Sequence, residues 1–316
     1  ASKGVFIHDV KWSNILLNHA FHRREITTNL MTSGMKWSSF HLNDEEMSFI
    51  NSFKSKVKTI SHYITSKPGI VTAANDFFIV NSDVKNKYHL DKYAKPIIQK
   101  SVYVGDRVNL NSEHVVNIQK SGYPSFLLDF GDEDKTLNSG AIEYLKLGEE
   151  RDIHLRYKCR NRQPWFRIPI VPVSEAFIFK RVYKHPKIMK NSGDVYTTDA
   201  AYNISPKEGT CINSFIYSMY NPLTLCFFEL YGRRYGGGVL ELIPSEFKRL
   251  PLPYVEINPQ EFDLYSDYFS NKKSIDDILA KYGYNILKGF VTKKEYGLLL
   301  GIYKKLVDRR VNMKSI

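Results

Sequence analysis

The sequence predicts an α+β fold, an irregular β-rich domain over residues 61–255 flanked by helical segments at 1–60 and 256–316. Three observations carry that prediction. Both ends show helix caps with apolar residues at helical spacing, the middle breaks into short β-rich runs divided by Gly, Pro, Asn and Asp, and neither a repeat nor a low-complexity linker intervenes. In "LNDEEMSFINSFKSKVKTISHYI", Asn43 and Glu46 have the spacing of an N-cap and its N3 partner, and Met47, Ile50, Val57 and Ile60 recur along one helical face. Residues 1–60 are therefore expected to be mainly helical. From Gly69 to Pro253, "GIVTAANDFFIV", "YPSFLLDFG", "EAFIFKRVY" and "GVLELIP" read as β-rich runs. A few helices are expected inside this zone, one of them at "NPLTLCFFELYG", where Asn221 caps, Pro222 suits the first helical position and Gly232 stops it. Past Pro253 the texture turns helical again. Thr292 and Glu295 repeat the capping-box spacing, and Tyr296, Leu299, Leu300, Tyr303, Leu306 and Val307 mark the apolar face of a terminal helix.

Composition bounds the function. A chain of 316 residues, 43% hydrophobic and 14% aromatic, can bury a core as one large or two ordinary domains. Its net charge of +12 makes the surface an attractor for polyanions, nucleic acid foremost. Cys159, Cys211 and Cys226 are odd in number and lack C-x-x-C spacing, which supports neither a disulfide framework nor a zinc site and points to a reducing cytoplasm. No signal segment or membrane-spanning run is visible, so no membrane partner is expected. The chain opens on Ala, and a piece of a longer protein is the expectation.

The common catalytic signatures are missing: no phosphate loop, no nucleophile elbow, no H-E-x-x-H, no dinucleotide fingerprint. No catalytic, cofactor-binding or metal residue is predicted in this chain. His19, His22 and Glu25 in "HAFHRRE" fall along one side of a possible helix, where a solvated face explains them better than a ligand set. The acidic loop Asp129 to Lys135 offers paired carboxylates for a nuclease metal but lacks the companion Glu-x-Lys strand, so a polar turn is the preferred reading.

The basic segments are more informative. In "LRYKCRNRQPWFRIP", Arg156, Lys158, Arg160, Arg162 and Arg167 interleave with Tyr157, Trp165 and Phe166, combining phosphate-neutralising charge with planar surfaces. A basic edge strand with its aromatics facing the core explains the same pattern. A second run supplies Lys180, Arg181, Lys184, Lys187 and Lys190. In "ELYGRRYGGGVLELIPSEFKRLPLP", three consecutive glycines beside Arg233 and Arg234 suit a turn whose bare amides approach a phosphate, or simply a tight helix-to-strand connection.

The ordered set "GIVTAANDFFIV", "CRNRQPWFRIP" and "LYGRRYGGGVLELIPSEFKRLPLP" resembles the C-terminal target-recognition region of N6-adenine DNA methyltransferases from bacterial restriction-modification systems, over roughly residues 60–255. The Gly-Gly-Gly, Pro-Ser-Glu and Pro-Leu-Pro elements stand as in that family, whereas Ala73-Ala74 falls where Gly is expected. The resemblance implies double-stranded DNA as partner. It further implies an N-terminal methyltransferase domain that carries S-adenosylmethionine and an Asn-Pro-Pro-Tyr-type motif for the extruded adenine. Neither that motif nor a cofactor loop occurs here, since Asn221-Pro222-Leu223 and Asn258-Pro259-Gln260 are single-proline sequences. The chain thus reads as the DNA-reading half, a fragment or a subunit apart from its catalytic partner, and methylates nothing alone. Arg160, Arg162, Trp165, Lys180 and Arg181 are the candidates for base or near-base contact, Arg233, Arg234, Gly236, Gly237 and Lys248 for phosphate contact, and Lys158 is a further DNA-binding candidate. Two other classes compete. A type I specificity subunit normally carries two recognition regions joined by heptad helices, of which only one region and no heptads are found; a metal-dependent nuclease rests on the acidic loop alone.

Overall fold

The computed structural model of the chain describes residues 5–9, 22–26, 41–131 and 137–311, and the α+β class holds. At the N-terminal end β1 (Val5–Asp9) pairs antiparallel with β2 (His22–Ile26), with Ile7 opposite Arg24. Within residues 1–60 this puts strand at Val5–Asp9 and His22–Ile26, where helix is expected from the sequence, while the helical reading holds over Asp44–Lys54. The run Val5-Phe6-Ile7 has the β-branched and aromatic character that favours a strand. Helix α1 (Asp44–Lys54) does begin at the Asn43–Glu46 capping box and buries Ile50 and Phe53. It stops at Lys54, so Val57 lies beyond it and Ile60 opens a separate helical turn, Ile60–Tyr63.

The middle of the chain lays down β3 (Ile64–Pro68), β4 (Ile79–Val80), β5 (Ala94–Ile98), α2 (Ser112–Lys120), β6 (Phe126–Leu128), α3 (Ser139–Glu150) and α4 (Tyr157–Arg160). Next in order are β7 (Ala176–Phe179), β8 (Arg181–Val182), β9 (Ile188–Lys190), β10 (Tyr196–Thr197) and β11 (Ala201–Pro206). Then come α5 (Ile212–Met219), α6 (Pro222–Tyr231), β12 (Arg233–Tyr235), β13 (Val239–Glu241) and α7 (Pro244–Lys248). Helices α8 (Pro259–Asn271) and α9 (Lys293–Val311), with shorter turns between them, complete the described residues. The strands form a mixed sheet ordered β10-β5-β6-β4, an antiparallel sheet β3-β11-β7-β9, and a small antiparallel sheet β12-β13-β8.

Strand β7 shows why the middle sheet is central. Its Ala176 and Ile178 face the core built with α1, α5, α6, α8 and α9, while Phe177 and Phe179 face a second core with Val115, Ile118 and Met189. A strand buried on both faces reads as a continuous apolar run, as "AFIF" does. A third core gathers Phe77, Phe78, Phe130, Tyr144 and Ile168 around the mixed sheet and α3. In "GIVTAANDFFIV" only Ile79–Val80 is strand, because Asn75–Phe78 closes a helical turn onto the Ala74 carbonyl. Ala73 there adopts φ +74°, the left-handed region. The position where the family resemblance led one to expect Gly is thus one whose backbone favours it.

Helix α6 behaves as its sequence requires, with Asn221 accepting from the Thr224 amide, Pro222 in its first turn and Gly232 as C-cap. It is apolar all round and buried from Pro222 to Leu230, which leaves Glu229, 3% exposed, in need of a partner. Arg310 of α9, 2% exposed, supplies it. Its Nε and Nη2 donate to the two Glu229 carboxylate oxygens at 2.7 Å each, and Nη1 donates to the Tyr183 and Gly238 carbonyls.

A second charged tie joins the end of α8 to the β-rich region. Lys272, whose side chain is 0% exposed, sits 3.3 Å from Asp106, and Lys187 and the buried His185 each lie 3.6 Å from the same carboxylate. Burial pushes Asp106 up, yet His185, Lys272 and Lys187 outweigh it and hold the carboxyl below its ordinary value. For His185, burial pushes the pKa down to about 4; Asp106 opposes this, and Lys272, Lys187 and Lys184 reinforce it. Among the described residues no helix is long and apolar enough to cross a membrane.

Three outcomes are expected. Arg310→Ala strands Glu229 in an apolar helix, and urea denaturation is expected to show a loss of about 3–5 kcal/mol. His185 binds a proton far less readily folded than unfolded, so the stability contributed by its neutral ring is complete above about pH 6.5 and is lost as pH falls towards its folded value of about 4. Urea titrations are expected to show about 3 kcal/mol of loss from this ring across that window, most of it absent in His185→Gln. Ala73→Gly relieves a left-handed alanine but frees the unfolded chain, and a thermal melt is expected to show a net gain of about 0.5–1 kcal/mol. A loss instead would mean that the methyl group packs usefully.

Candidate nucleic-acid interface

The three glycines close a β-hairpin rather than a helix-to-strand connection. Tyr235 pairs with Val239, leaving Gly236–Gly238 as the loop, with Gly237 at φ +73° and Gly238 at φ +74°. The glycines have different tasks. Gly238 is buried, and a Cβ there would come within 3.2 Å of the Arg310 carbonyl oxygen, so its bareness lets the hairpin seat on α9. Gly236 and Gly237 are exposed, and nothing lies within 4 Å of a Cβ built at Gly236.

Register decides which arginines face outward. Arg233, Glu241 and Arg181 stand opposite one another across β12, β13 and β8, while Arg234, Leu240 and Val182 occupy the other face. Arg181 is exposed and donates from Nε to Glu241 at 2.7 Å, and Asp199 also acts on its charge. Arg233 is exposed, its Nε 3.5 Å from Glu246, which also caps α7 through the Ile243 amide. Arg234 is directed inward. Its Nε and Nη2 are buried without a hydrogen-bond partner, and burial lowers its pKa against the pull of Glu229. Lys180 is half-buried at the junction of two sheets, its amide bonded to the Ala200 carbonyl and its carbonyl to the Leu242 amide. Lys248 is half-buried at the end of α7.

The other candidates lie around α4, which is a helical turn and not an edge strand. Buried Cys159 anchors the turn, leaving Lys158 and Arg160 exposed, with the Arg160 guanidinium 5.4 Å from the Tyr157 ring centre. Arg162 is committed to the scaffold. It donates to the Thr72 carbonyl at 2.7 Å and the Val71 carbonyl at 2.9 Å, and burial lowers its pKa. Trp165 packs beside Phe77 and Phe78, over Gly148, with its Nε1 3.3 Å from Glu149. Arg156, outside the predicted set, forms a two-pronged bridge to Asp76 at 2.6 and 2.8 Å. The partners are 80 residues apart, and no sequence spacing signals the pair.

Two adjoining cavities lie beside α4. A cavity of about 360 Å³ is lined by Gly69, Val71, Lys158, Asn161, Arg162, Pro169 and Val171. A neighbouring one of about 260 Å³ shares Val71 and runs along Thr72–Asp76 to Arg156 and Asp199. Asp199, acting on Arg181 and lining this cavity, connects the hairpin sheet to the surroundings of α4. Among the described residues no three His, Cys, Asp or Glu side chains gather as a metal site. Asp129 is held by Lys95 at 2.7 Å, while residues 132–136 of the acidic loop and His19 lie outside the described residues.

No curated protein matches the chain by sequence. Among solved structures, the type IIG restriction endonuclease BpuSI is similar at TM-score 0.54 and 13% identity, over 94% of this chain and 37% of that one. The type IIL restriction-modification enzyme MmeI, solved in complex with DNA, aligns at TM-score 0.46 and 10% identity, over 79% of this chain and 36% of that one. The chain therefore spans little more than a third of the length of either. The family described as "Type II methyltransferase M.Eco57I, C-terminal domain" matches residues 34–287, about four fifths of the chain, which therefore belongs to that family.

Proposed function

We propose that the chain is the DNA target-recognition part of an adenine-specific (N6) DNA methyltransferase of a restriction-modification system, working in the cytoplasm. The observation that carries this reading is the outward row Arg233–Glu241–Arg181 beside the open Gly236-Gly237 turn, on a chain of net charge +12 that belongs to a methyltransferase C-terminal family. Double-stranded DNA is the polyanion such a surface suits. Arg233 neutralises a phosphate, Arg181 on the same face lies near the bases, and the exposed glycine amides let the backbone approach a phosphate closely. Arg160, exposed on α4, approaches a base edge, and Lys158 beside it contacts a phosphate. Arg162, Trp165 and Arg234 hold these surfaces in shape. The methyl transfer belongs to a separate N-terminal domain, which binds S-adenosylmethionine and takes up the extruded adenine.

Binding to duplex DNA is expected to weaken steeply with salt, because displaced counterions supply much of the affinity. In fluorescence anisotropy, Arg233→Ala is expected to weaken binding to all sequences alike and to lower the log–log salt slope by about 1. Arg160→Ala is expected instead to erode discrimination between sequences, by about 1–3 kcal/mol at the position it reads. Affinity indifferent to salt, or identical behaviour of the two variants, contradicts the assignment.

A further inference from the structure

The segment Leu155–Arg162 sets two exposed apolar side chains among cations. Leu155 is 57% and Tyr157 71% exposed, two large apolar side chains standing in solvent two residues apart. Their surroundings are cationic. Residues 155–162 contain Arg156, Lys158, Arg160 and Arg162 and no carboxylate. The segment is also braced from below. Asp152 takes a left-handed turn at φ +56° as the chain leaves α3, and Ile153 and Cys159 are buried on either side of the exposed pair. Arg156 is clamped to Asp76, Arg162 to the Val71 and Thr72 carbonyls, and Asn161 Nδ2 donates to the Tyr157 carbonyl at 2.8 Å.

A ligand for this ridge must offer negative charge at its flanks and apolar, stackable faces between them. Duplex DNA has both, in its phosphates and its base stack. Resting on the DNA-binding reading above, we propose that Leu155 and Tyr157 form an apolar wedge that enters the base stack of bound duplex, with Lys158 on an adjoining phosphate and Arg160 at the neighbouring base edge. The bracing matters energetically, since a braced backbone loses little loop freedom on binding and so leaves more of the wedge's contact energy to oppose unstacking.

A wedge of this kind binds best where stacking is already weak. The test uses the whole chain, a fluorescein-labelled duplex of about 30 base pairs of mixed sequence, and the same duplex with one central mismatch. Wild type is expected to prefer the mismatched duplex about tenfold, by analogy with the stacking contribution of one aromatic per base. Tyr157→Ala and Leu155→Ala are expected to lose that preference with their melting temperature and salt slope unchanged, and Tyr157→Phe to keep it. Wild type without the preference, or Tyr157→Ala with it intact, overturns the wedge and leaves the DNA-binding reading standing. Failure of wild type to bind either duplex overturns both. Tyr157-dependent binding to vesicles of phosphatidylserine and phosphatidylcholine, without the mismatch effect, reassigns the ridge to an anionic lipid surface and likewise overturns the wedge.

Discussion

The ion pair between Glu229 and Arg310 is the constraint on which the arrangement of this surface depends. Helix α6 is apolar on every side, and a carboxylate within it is tolerable only if a cation meets it inside the core. Arg310 comes from nearly the end of α9, and its remaining donors reach the Tyr183 carbonyl beyond β8 and the Gly238 carbonyl at the hairpin. One guanidinium therefore sets α6, α9, the β8 connection and the glycine turn relative to one another. The planar fork with several fixed donors suits arginine to this task, and lysine could not meet both carboxylate oxygens and two carbonyls with the same geometry.

With the hairpin seated in this way, its charges are sorted by strand alternation. Arg233 joins Arg181 across Glu241 on the open face, and Arg234, next to it in sequence, is directed into the protein. Neighbouring arginines thus have opposite fates. The glycine run divides likewise, with Gly238 committed to the contact with α9 and Gly236 and Gly237 left open. The same separation of scaffold from surface recurs around α4, where Arg156 and Arg162 brace the turn and Lys158 and Arg160 remain exposed.

The cluster of Asp106, His185, Lys187 and Lys272 plays a comparable part on another side of the molecule. A carboxylate facing two lysines and a neutral imidazole ties the end of α8 to the β-rich region. The C-terminal helices are thereby held to the sheets by charge as well as by apolar packing.

The helices were the most legible part of this sequence. Asn43 with Glu46, Asn221 with Pro222, and Thr292 with Glu295 each initiate a helix, because a cap is a hydrogen bond between residues three apart and that spacing is written in the chain. The α+β class rests on the same local signals. The N-terminal β-pair is less legible, because the spacing of His19, His22 and Glu25 suggests a helix while the apolar run before them is short. Within the candidate interface, sequence alone identified the cationic segments and the bare turn, and only the tertiary structure decided which cations face out. Arg162 meets a carbonyl 90 residues away, Arg310 a carboxylate 81 residues away, and Arg233 shares a face with Arg181 through strand register. Local patterns encode what a residue does to its near neighbours; the path of the folded backbone determines which distant group it meets, and that choice separates a scaffold arginine from an exposed one.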